Sequence, residues 1–94
     1  MRIRWTSRAL ENLDNAIAYI AADSPAAAKN VAEKIWASVQ LLSDQPGIGR
    51  PGRVTGTREM VIGSLPFIVP YVVQDGEIII LRIMHTSMKW PGSF

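Results

Sequence analysis

The pattern of this 94-residue chain predicts an α+β fold in the order β-α-α-β-β-β. One N-terminal strand is followed by an antiparallel helical hairpin and a three-strand antiparallel meander, with the helices packed on one sheet face. Three observations predict it. Apolar residues recur at helical spacing from Leu10 to Leu42, β-rich runs follow Arg58, and a glycine- and proline-rich stretch divides the two halves.

The elements follow in order. "RIRW" at residues 2–5 alternates polar and apolar residues and reads as a short strand. Thr6 or Ser7 can cap the first helix, with Glu11 as a favourable charge near its N-terminus. Leu10, Leu13, Ile17 and Ile20 form its apolar stripe, to about residue 22. "DSP" ends that helix and starts another, with Ser24 as cap and Pro25 at the first helical position. Ala28, Val31, Ile35, Val39 and Leu42 form the second stripe, and so short a connection forces a hairpin. "DQPGIGRPGRVTGTR" then reads as a loop, because four glycines and two prolines fall within fifteen residues. "REMVIG" sets Met60 and Ile62 against Glu59 and Val61, and "FIVPYVV" and "EIIILRIMHT" complete the meander. Asp75-Gly76 is a two-residue hairpin signal, and Pro70 requires a bulge or an outward-facing position in its strand.

A chain of this length forms one domain, residues 1–94, and 48% hydrophobic with 19% charged residues is the profile of a folded protein. The absence of cysteine excludes disulfides and thiolate metal sites, and a single histidine excludes a histidine-rich metal centre. No cofactor is implied. The N-terminus has no signal-peptide core, and "MVIGSLPFIVPYVV" is too short and proline-broken for a membrane span, so a soluble, cytoplasmic protein is expected. Residues 1–49 carry five basic and five acidic groups, whereas residues 50–94 carry five basic and three acidic ones. The whole excess of +2 therefore sits in the second half. This is weaker than the stripe of a dedicated nucleic-acid binder, and it suits an acidic protein partner equally well.

Several side chains invite a functional reading beside a structural one. Tyr19 and Trp36 lie just off the helical stripes, at the rim of the core or lining a groove for a partner. The loop carries Arg50, Arg53 and Arg58 and can bind phosphate through amides and guanidinium groups, but it matches no nucleotide-binding motif. His85 is the one residue suited to proton transfer near neutrality, with Arg82 before it and Lys89 after it. It reads equally as a strand-end histidine that hydrogen-bonds backbone. Tyr71 reads as a mid-strand tyrosine with its hydroxyl at a sheet edge, Trp90 as a cover for the core or an exposed anchor, and Phe94 as mobile.

The order of elements and an ordered set of local phrases resemble the RelE/ParE superfamily of toxin–antitoxin toxins. These phrases are Trp5 and Ala9 with Leu13, Ile17 and Tyr19-Ile20; "SPAAA"; Leu42 with "QPGIGRPG"; "TRE"; "PFIV" with Tyr71; and "ILRIMH" with "KWP". Together they span almost the whole chain, and "PAAA", "GIGRPG", "TRE" and "H…KWP" look more like ParE than RelE. The resemblance implies a small toxin made beside a cognate antitoxin, a ParD-like ribbon-helix-helix protein, in a hetero-oligomer. It also implies one of two targets. ParE-like toxins poison DNA gyrase without being enzymes, while RelE-like toxins cut messenger RNA on the ribosome.

Cleavage through the 2′-hydroxyl needs a base, an acid and cations for the phosphorane charge. Arg58, Arg82, His85 and Lys89 are the candidates for a metal-independent ribonuclease. Arg82 and His85, three apart in a strand, share a surface only if the strand bends between them. The shortage of lysine and the modest charge favour binding over catalysis. On that reading Arg50, Arg53, Arg58, Arg82, His85, Lys89 and Trp90 contact the target, and Tyr19, Trp36 and Tyr71 contact the antitoxin.

Overall fold

Local capping signals set the helical hairpin in a computed structural model that describes residues 1–94. The first strand, β1 (Arg2–Trp5), leads through Thr6 into α1 (Ser7–Asp23), where the Thr6 hydroxyl accepts a hydrogen bond from the Ala9 amide. Ser24 alone joins α1 to α2 (Pro25–Leu41). Its amide donates to the Ile20 carbonyl, closing the first helix, and its hydroxyl accepts from the Ala27 amide, opening the second. Pro25 occupies the first turn, where its missing N–H costs nothing. Glu11 lies beyond the first turn of α1, which contains no acidic residue, so the expected charge–dipole contact is weaker than the sequence suggests.

The sheet contains β2 (Arg50–Pro51), β3 (Arg58–Val61), β4 (Phe67–Gln74), β5 (Glu77–Ile80) and β6 (Met84–His85) in addition to β1. Its strand order is β1-β5-β4-β3-β2, with β6 also on β4. All pairings are antiparallel except β1 with β5, which is parallel. Asp75 and Gly76 both have positive φ, 52° and 74°, which makes the β4–β5 connection a tight hairpin whose twist matches its strands.

Two elements depart from expectation. The glycine-rich segment contains β2, because Arg50 pairs with Glu59 and Pro51 with Arg58 across the sheet edge. The run from residue 77 to 86 is interrupted: Tyr71 faces Ile80 but Phe67 faces His85, so four steps along β4 match five on the partner. The extra residue is a bulge. Leu81 donates to the Pro70 carbonyl there, and the disrupted ladder accommodates Pro70's missing donor within a central strand.

The main core lies between the helices and one sheet face, where Ile35, Val39, Leu42, Val69, Tyr71, Ile78 and Ile80 are fully buried. Leu13, Ile17 and Ile20 of the expected α1 stripe pack against this core, and only its first member departs. Ala9 is completely buried in the core cluster while Leu10 remains 47% exposed. No helix is long and apolar enough to cross a membrane.

Candidate interaction site

On the side where α1 meets β6, a groove of about 460 Å³ opens between Tyr19, Asn12 and Ala16 of α1 and Phe67, His85 and Met88 of the sheet and its exit. Tyr19 is 82% exposed, so it stands out as one wall of this groove and does not close the core rim. Trp36, 55% exposed on α2, stacks on Trp5 with ring centroids 6.2 Å apart. It belongs to a different surface from Tyr19 and does not line the groove.

Asn12 organises the lip. Its Oδ1 accepts from Arg82 Nε at 2.7 Å and from the Ile83 amide at 3.2 Å, so one helix residue satisfies a bulged strand edge and aims a guanidinium. Arg82 therefore turns toward α1 because the bulge releases it from strict alternation. Burial, and then the neighbouring Arg8, push the Arg82 guanidinium below its usual pKa, while Glu11 opposes them. Arginine stays charged regardless, so the shift marks a partly desolvated guanidinium with a second cation nearby.

His85 shares the helix-facing side of the sheet with Phe67, edge-to-face at 5.4 Å. Its Nδ1 accepts from the Ser87 amide at 3.1 Å and lies 2.7 Å from the Ser87 hydroxyl. That leaves Nε2 free, carrying the proton in the neutral ring. Lys89 is exposed beyond it.

The arginine-bearing loop lies elsewhere. Glu59 is only 1% exposed although strand parity places it away from the main core. Arg50 donates to its Oε1 through Nε and Nη2 at 3.2 and 3.1 Å, the Arg53 amide donates to Oε2 at 2.7 Å, and Arg53 Nε stands 4.0 Å away. Arg53 also covers the Trp90 ring at 4.2 Å, and Phe94 packs edge-on against Trp90. Trp90 consequently closes over the loop and is not part of the main core cluster, and Phe94 is held against it.

Arg58 donates to the Gly49 carbonyl at 2.8 Å, so its charge secures the loop backbone. Tyr71 is fully buried, with its hydroxyl donating to the Pro46 carbonyl and accepting from the Gly49 amide. This corrects two expectations, since Tyr71 has neither a sheet-edge hydroxyl nor surface to offer an antitoxin. Gly49 is required for the contact, because a Cβ there would meet the Tyr71 ring and hydroxyl. The loop amides and carbonyls that seemed available for phosphate are thus largely engaged within the chain.

Of the four residues nominated for RNA cleavage, Arg58 does not converge with His85. Arg58 pairs with Tyr71 and His85 with Phe67, on strands that flank β4 from opposite sides. The spacing of four residues corresponds to about 13 Å along the strand and about 10 Å across it. Arg82 lines a separate cavity with Arg8. The structure brings together Arg50, Arg53 and Trp90 at one place, and Arg82 with the flank of the His85 groove, through Asn12, at another. Sequence reasoning missed Glu59 and Asn12, one an ordinary strand carboxylate and the other an ordinary helix asparagine until the fold places arginines beside them.

A helical hairpin on an antiparallel sheet, with an apolar groove and two separated arginine clusters, characterises this small, mildly basic α+β domain. Comparison with known proteins makes this specific. The family described as the ParE toxin of type II toxin–antitoxin systems, parDE, matches residues 3–90, and the chain belongs to that family within the RelE/ParE superfamily. It is 46% identical over 90 residues to the protein Y4kP of Sinorhizobium fredii, covering 96% of this chain and 93% of that one. To the toxin RelE2 of Caulobacter vibrioides it is 35% identical over 86 residues, covering 92% and 96% respectively. A chain from the solved chromosomal ParDE system of P. aeruginosa superposes with a TM-score of 0.80 at 33% identity, over 90% of this chain and 95% of that one. The protein is accordingly a ParE-family toxin of a toxin–antitoxin module.

Proposed function

We propose that this toxin acts in the cytoplasm by binding, that its target is DNA gyrase, and that a ParD-like ribbon-helix-helix antitoxin neutralises it. The observation that supports the binding reading is the separation of Arg58 from His85 across β4, which sets a candidate phosphate-stabilising cation apart from the one candidate base. The target-facing residues are Arg50, Arg53 and Trp90 with the exposed Lys89.

The antitoxin segment is an amphipathic element laid in the α1–β6 groove, whose walls are mostly apolar and include Tyr19. The similarity to a chain of a ParDE system supports this assembly. Purified toxin added to gyrase is expected to inhibit supercoiling and to trap cleaved DNA, with relief on adding the antitoxin. No effect at stoichiometric excess would sink the gyrase target.

The likeness to a protein named RelE2 keeps one alternative, ribosome-dependent cleavage of messenger RNA. Primer extension during translation decides it. New message ends that disappear with His85→Ala would replace the gyrase reading.

A further inference from the structure

Beside the groove lies a second cavity of about 300 Å³, bounded by Thr6, Arg8, Leu81, Arg82, Pro91 and Phe94. Its lining contains two arginine side chains and no acidic side chain. The ion pairs of the molecule join Arg2 and Arg4 to Glu77, and Arg50 and Arg53 to Glu59, so neither Arg8 nor Arg82 has a carboxylate partner. Arg8 is exposed, whereas Arg82 is half-buried and held by Asn12 through Nε alone, leaving its terminal nitrogens available. Burial first, and then the neighbouring Arg8, depress the Arg82 pKa, which places Arg8 near enough to repel it. We infer that Arg8 and Arg82 together receive one carboxylate, supplied by an acidic side chain of the antitoxin segment that fills the neighbouring groove.

Charge and shape favour this occupant over a nucleic-acid phosphate. Two arginines only partly opposed by Glu11, which acts on Arg82, leave a small positive excess suited to a single monoanion. A phosphate backbone needs a track of cations, and the other clustered arginines, Arg50 and Arg53, are already held by Glu59. The walls contributed by Leu81, Pro91 and Phe94 are apolar and suit the methylene stem of Glu or Asp. Guanidinium groups match a carboxylate in a planar, two-point geometry, and Asn12 fixes the Arg82 plane before the partner arrives. Asn12 also lines the groove, so an apolar anchor and an acidic side chain on one segment reach the two sites together.

The inference rests on the antitoxin reading, and the test separates the two. The toxin is titrated with the ribbon-helix-helix protein encoded beside it, over a range of salt concentrations, as wild type, Arg8→Gln, Arg82→Lys and the double variant. Arg82→Lys keeps the charge and loses the fork. Each single variant is expected to weaken binding by about tenfold or more, the double variant by less than the product, with a shallower salt dependence for Arg8→Gln. Free Arg8→Gln should melt at an equal or slightly higher temperature than wild type, since a repulsion is relieved, which excludes misfolding as the cause. Affinities within twofold of wild type and an unchanged salt slope would overturn the carboxylate site while leaving the antitoxin reading intact. No binding by wild type removes the antitoxin reading itself. Perturbation of the Arg8 and Arg82 Nε–H signals by a short DNA duplex, and not by the antitoxin, would overturn the assignment in favour of phosphate.

Discussion

Arg50 and Arg53 converge on a buried carboxylate, whereas Arg8 and Arg82 converge on each other. The first pair closes the loop over the sheet: Glu59 accepts from both a guanidinium and a backbone amide, and Trp90 covers Arg53. The second pair lines an open cavity beside an apolar groove and has no carboxylate in ion-pair contact. Residue type is the same at both places. The chemical difference is one glutamate, which anchors the first pair in a structural clasp while the second pair is left without a counter-charge in contact. Clusters of arginine therefore reveal function here only after their acidic neighbours are placed.

Removing the clasp should have the largest effect. Glu59→Ala leaves the Arg53 amide and two arginines without their acceptor, and it is expected to destabilise the fold by about 3 kcal/mol in chemical denaturation. A loss below about 1 kcal/mol would show that the clasp is incidental and erase the contrast with Arg8 and Arg82. Tyr71→Phe comes next. It strips the buried link between the sheet and the Pro46–Gly49 segment, and a loss of about 2 kcal/mol is expected because the Gly49 amide is left unpaired. Faster hydrogen exchange at Gly49 than at the core strands would localise the change to the loop.

Trp90→Ala should cost about 1 kcal/mol, the scale of a partly exposed cation–π contact. If gyrase inhibition falls much further than stability does, Trp90 contacts the target as well as the loop. The smallest effect on stability belongs to the other region. Tyr19→Ala, at a side chain almost wholly in solvent, should change the unfolding free energy by under about 0.5 kcal/mol while measurably weakening antitoxin binding. Unchanged affinity would place the antitoxin elsewhere on the surface.

Patterns along the chain specify the helices, the Ser24 cap of the second one, the Asp75-Gly76 hairpin, the disturbance at Pro70 and the family resemblance. These depend on patterns within a few residues, where capping, periodicity and turn stereochemistry act directly. Only the tertiary structure decided that Glu59 is buried, that Tyr71 is sealed beneath Gly49, and that Arg58 and His85 lie apart. It also decided that Asn12 turns Arg82 toward Arg8. Asn12 and Arg82 are seventy residues apart in the chain, and Glu59 takes its environment from a loop that folds back over the sheet. A strand's alternation states which two faces exist, but what covers each face is fixed by distant segments competing for the same surface.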